Sequence, residues 1–244
     1  MYFYSKEKLE QMADKINEQY YPERLQKMTK LDPYDLLEKM DLEVEWKYIT
    51  PNKSTLGMIF FEDNVYPVWE TGKFKKGDNA RLEKFKKGTI VINNILLDEK
   101  DYRKEVFVCN HEISHWIKDQ KYFKDHPNDV IHVCKGEAFE KTRWNNGMSE
   151  IDIIERQTNY LNAAILMPRD VTKKEFFKIL RWKNIPNEPI KYEKYMARGI
   201  KALSDILEIN FNPVLYRLYD LNILIREVNE WKKIKQKKNP SYSR

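Results

Sequence analysis

The segment His111-Glu112-Ile113-Ser114-His115 restricts how this chain can fold more than any other. Val106, Cys109, Ile113 and Trp116 recur around it at helical spacing, which predicts a largely buried helix from about Arg103 to Asp119. Residues four apart share a helical face, so His111 and His115 can present imidazole nitrogens to one metal ion. Glu112 is turned around the helix from them and is placed to reach metal-bound water rather than the metal itself. Two imidazoles leave a tetrahedral zinc ion short of a third protein ligand, with the fourth position kept open for water. A second element must therefore pack against this helix and supply that ligand.

The third ligand does not follow the metzincin spacing, because Lys121 stands where the third histidine would be and Lys118 where the glycine would be. A glutamate from a later helix is the alternative, and Glu155 is the candidate. Ser149 is a plausible helix cap with Asp152 three residues on; Ile154, Leu161 and Ile165 form an apolar face, and Pro168 closes the segment. Glu155 and Asn159 lie four apart on this helix, the arrangement of a ligand and a group that hydrogen-bonds a ligating imidazole. Glu150 and Asp152 are the other acids able to replace Glu155. Read from spacing alone, the site is that of a metal-dependent hydrolase, and a peptide substrate enters with the His-Glu-x-x-His pattern.

The two segments together resemble the ImmA/IrrE family of zinc metallopeptidases. That family pairs its His-Glu-x-x-His helix with a second helix reading roughly E-x-x-A-N-x-F-A-A-x-L-L-M-P, and Glu155, Asn159, Ala163, Leu166, Met167 and Pro168 fall at the matching offsets. Thr158 and Asn162 replace the usual alanines and Leu161 the aromatic, all at packing positions. The resemblance covers residues 32–168 and includes the strand before the first helix. It implies a gluzincin-like site in which His111, His115 and Glu155 hold one zinc ion and Glu112 is the catalytic base. It also implies a zincin-like fold, a protein substrate, and often a helix-turn-helix repressor as that substrate, cleaved inside the cell.

The rest of the chain reads as α+β. Leu9, Met12, Ala13, Ile16 and Tyr20 predict an opening amphipathic helix; Asp32 and Pro33 predict the start of a short second one. Leu42, Val44, Trp46 and Tyr48 alternate with charged residues as a half-buried strand does. Residues 57–61 and 65–70 look like a hairpin with Pro67 at an edge, and residues 89–96 like a further strand. Between these, residues 73–87 carry seven basic and two acidic residues and read as an exposed loop. His126, His132 and Cys134 fall in a long insert between the two site helices. After Pro168, Asp170 is expected to cap a helix through Trp182. Residues 199–209 and 213–224 read as helix, short turn, helix. The expected organisation is a catalytic domain with a small twisted sheet over 1–168, a helical extension over 169–230 and a tail over 231–244.

Charge argues against a nucleic-acid-binding body. The 244 residues hold 44 Lys+Arg and 38 Asp+Glu, and the excess of six equals the basic content of Trp231 to Arg244, which has no acid. The helix-turn-helix-like segment carries Lys201 and Arg217 against Asp205, Glu208 and Asp220, a poor match for phosphate. A transcription or stress regulator acting by DNA or protein binding, with zinc structural or vestigial, is the second reading. Two cysteines, no signal-peptide pattern and no long apolar stretch lead to the expectation of a cytoplasmic protein without membrane spans.

Overall fold

The computed structural model describes residues 3–50, 54–73, 79–126 and 149–226, with the backbone of 131–135. The tail from residue 231 and most of the insert before residue 149 lie outside them, as do the side chains of His132 and Cys134. Helix α1 (Lys6–Tyr20) starts where the Ser5 hydroxyl accepts from the Lys8 amide, and α2 (Pro33–Lys39) where the Asp32 carboxylate accepts from the Tyr34 amide. Strands β1 (Glu43–Lys47), β2 (Thr55–Phe60), β3 (Asn64–Val68), β4 (Arg81–Phe85) and β5 (Thr89–Asn93) follow, then a single turn, α3 (Ile95–Asp98). Next come α4 (Tyr102–Asp125), β6 (Ile131–Lys135), α5 (Glu150–Leu166) and α6 (Arg169–Ile179). The described chain ends with β7 (Ile190–Lys191), α7 (Ala197–Leu207), α8 (Phe211–Asp220) and β8 (Leu224–Ile225). The architecture is α+β, and no described helix is long and apolar enough to cross a membrane.

The main sheet has the order β1-β5-β2-β6, with β1 parallel to β5 and β2 antiparallel to both its neighbours. The expected hairpin between residues 57–61 and 65–70 does not form. Every residue of β2 is buried, so it needs a partner on each side, and it finds β5 and β6. At its exit the Gly88 amide donates to the Phe60 carbonyl and the Lys87 amide to the Asp63 carboxylate, which ties β2 to the start of β5 instead. Strand β3 turns away and pairs with β4, so part of the expected loop over 73–87 is a strand. Pro67 does fall in this two-stranded ribbon, where its missing N–H is tolerated. The strand expected over 89–96 ends at Asn93 because the Asn93 side chain accepts from the Ile95 amide and turns the chain into α3.

Helices cover one face of the sheet and the ribbon the other. Ile90 and Ile92 point into the helical core, which runs from Leu9 of α1 through Ile113, Leu161 and Phe176 to Leu203 and Leu218 of α7 and α8. Val91, Met58 and Phe60 point the other way, onto Val68 and Phe85 of the ribbon. A register shift between Thr55 and Gly57 opposite β6 breaks the alternation at Leu56, which packs in the helical core although the next residue, Gly57, also faces α4. In the C-terminal region the boundaries differ from those expected. Asp170 sits inside the first turn of α6, after Pro168, and makes no capping bond; α8 begins at Phe211 and stops at Asp220, because the chain then forms β8 beside β7.

Candidate metal centre

Helix α4 is longer than its apolar pattern suggests and is buried on all sides over residues 105–115. Such a helix has no solvated face on which to place polar groups, so each polar side chain needs an internal partner. Asn110 finds one on α5: its amide donates to the Asn162 side-chain oxygen at 2.7 Å, and Asn162 donates to the Phe107 carbonyl at 3.0 Å. The asparagine that replaces an expected alanine at 162 is thus half of a bond that locks α5 against α4 one residue from His111. Helix α5 is fixed at its start by the predicted capping box between Ser149 and Asp152. At its far end Arg24 donates to the carbonyls of Ile165 and Leu166, and Arg217 to that of Met167.

Between these fixed ends the two helices bring His111, His115 and Glu155 together. His111 Nε2 lies 3.0 Å from His115 Nε2 and 3.3 Å from Glu155 Oε2, and His115 Nε2 lies 3.6 Å from Glu155 Oε1. Ligands about 2.0–2.1 Å from one tetrahedral zinc ion stand about 3.3 Å apart, so the triangle has the size of one face of such a site. All three residues are buried, and the group could hold a metal ion. Glu150 and Asp152 are exposed at the start of α5, and Asp152 is engaged in the capping box, so neither joins the cluster.

Glu112 is buried beside this triangle, and among the described residues both its carboxyl oxygens lack a hydrogen-bond partner. Burial, with the nearby negative charge of Glu155, pushes its carboxyl up to about 8 despite the opposing pull of His115. Room for the carboxyl comes from β2: a Cβ at Gly57 would stand 2.7 Å from Val108 Cγ1 and 2.9 Å from Glu112 Oε1. His111 is pushed down by burial. His115 moves the other way, to about 9, because Asp119 and Glu155 outweigh the burial that would lower it.

Asn159 lies one turn beyond Glu155, but among the described residues both ends of its buried amide lack a hydrogen bond, so the expected bond to the imidazole of His111 or His115 is not made. His115 Nδ1 contacts two other residues instead, Asp119 Oδ2 at 2.7 Å and Thr158 Oγ1 at 3.1 Å. Sequence reading missed Asp119 and treated Thr158 as packing. A carboxylate four residues after the second histidine was the available signal for the first. His126 stacks on Tyr122 and meets its carbonyl at the end of α4, away from the cluster. Cys109 is buried, and burial pushes its thiol well up, which suits a packing role rather than a reactive one. Neither family models nor curated proteins give a match to this chain.

Proposed function

We propose that the protein is a zinc-dependent endopeptidase of zincin-like fold that hydrolyses a peptide bond in a protein substrate, with a helix-turn-helix repressor as the leading candidate. The observation that carries this reading is an acid without partners beside a metal-sized triangle of two imidazoles and a carboxylate. His111, His115 and Glu155 hold the ion. Zinc, when bound, supplies a Lewis acid that acidifies water and polarises a carbonyl. Glu112 then acts as the base: its free oxygen takes a proton from the attacking water and returns it to the leaving amine. Among the described residues the cluster numbers three donors, the count of a site that keeps a position open for chemistry rather than one closed for structure.

The regulator reading finds less support. Of the two cations on the helix-turn-helix-like segment, Arg217 is buried against Glu10 and Lys201 pairs with Asp205 at 2.5 Å. Little positive charge is left there to attract phosphate.

The test is incubation of the full chain, loaded with one equivalent of zinc, with candidate repressor proteins, followed by mass mapping of the products. Wild type is expected to cut at a defined bond and Glu112→Gln to bind zinc without cutting. Equal cleavage by both proteins would remove Glu112 from the chemistry.

A further inference from the structure

A histidine that binds a metal through Nε2 must carry its proton on Nδ1, and whatever accepts that proton sets the ring's orientation. Around His115 the two described groups that meet Nδ1 can only accept. Asp119 Oδ2, at 2.7 Å, belongs to a carboxylate that Lys118 holds with bonds of 2.5 and 2.6 Å to its two oxygens. Thr158 has one hydroxyl proton, which goes to the Ile154 carbonyl at 2.9 Å, so its oxygen faces His115 as an acceptor. Two acceptors on Nδ1 leave the lone pair on Nε2, the atom directed at His111 and Glu155.

We propose that Asp119 is the positioning residue of His115, orienting its ring and holding the Nδ1–H tautomer, with Thr158 as a second acceptor and Lys118 as the buried counter-ion. The proposal rests on the zinc reading above. Asp119 sits four residues after His115 on α4, so the helix that presents the ligand also presents the group that orients it. Lys118 and Asp119 neutralise each other at 3% exposure each, which keeps the extra carboxylate from competing for the cation. His115 therefore gains a more basic donor nitrogen without adding net charge to the site.

The test uses the full chain, zinc titrated against a chromogenic chelator, and ¹⁵N NMR of the histidine rings. Zinc-bound wild type is expected to show His115 protonated at Nδ1, with that proton at low field. Asp119→Asn is expected to weaken zinc binding about 10- to 100-fold and move the proton upfield, while Asp119→Glu recovers most of the affinity. Combining Asp119→Asn with Lys118→Met avoids an unpaired buried ammonium and is expected to show the same zinc loss. Wild-type affinity in a folded Asp119→Asn protein would overturn the proposal. A wild-type spectrum with the proton of His115 on Nε2 would do so even if no variant folds. Wild type that takes up no zinc would instead overturn the metal reading, and the positioning role with it.

Discussion

The two ends of α5 treat buried charge in opposite ways. At its C-terminal end Arg217 meets Glu10 through bonds of 2.6 and 2.9 Å, and Tyr160 donates to the same carboxylate at 2.6 Å. Arg24 there satisfies two further carbonyls and Asn17. Burial would raise the Glu10 carboxyl, yet these partners hold it below its ordinary range. Beside the N-terminal half of the same helix, Glu112 is also buried, has no hydrogen bond among the described residues and is pushed up. Charge at the first end is settled among neighbouring side chains, whereas at the other the Glu112 carboxyl has no such partner among the described residues. Stability is drawn from the first end, and the second is kept at some cost to it.

The contrast can be broken most severely at Arg217. Replacing it with Met is expected to cost about 3–5 kcal/mol, because Glu10 stays buried without its partner, and the double variant with Glu10→Gln should recover much of the loss. Urea denaturation of the zinc-free proteins measures both.

A change of the opposite sign is expected at the other end. Glu112→Gln removes a buried acid without partners and should stabilise the zinc-free protein by about 1–3 kcal/mol near neutral pH. The folded carboxyl titrates near 8 against an ordinary 4.5, so its protonation favours the folded state at low pH, and this contribution is lost as pH rises through that window. The advantage of the variant should accordingly vanish below about pH 4.5 and level off above pH 8. A constant difference across that range would mean that Glu112 has a partner in solution.

The smallest effect sharpens the comparison. Asn159→Ala should leave zinc affinity unchanged and stability within about 0.5 kcal/mol, since its amide makes no hydrogen bond among the described residues. A marked loss of zinc in the chelator titration would return Asn159 to the role that spacing alone suggests.

Local signals in the sequence transferred well to the structure. The spacing of His111 and His115, the Ser149–Asp152 box and the Asp32–Pro33 start each depend on residues within one or two helical turns. Pairing of β2 did not transfer, because its partners lie more than thirty residues away in sequence and an adjacent apolar run offered a simpler hairpin. The departures at Thr158 and Asn162 show a further limit. Each looks like an imperfect alanine when α5 is read alone, and each gains its meaning only from a residue of α4, His115 or Asn110. Asp119 is legible from its spacing four residues after His115, although its pairing with Lys118 shows only in the fold. Gly57 could not be read at all, since its value lies in an atom it does not have, next to an acid 55 positions later.

The Arg217–Glu10 pair joins the first helix of the described chain to its last. A nascent chain that has emerged as far as Pro168 already contains both imidazoles, Glu155 and Glu112. It does not yet contain the guanidinium that lets Glu10 be buried under the end of α5. Domains generally fold from the N-terminus as they leave the ribosome, but here the helix carrying Glu155 gains its last anchor only when residue 217 appears. The helices that carry His111, His115 and Glu155 thus have their full set of anchors only once residue 217 has been made.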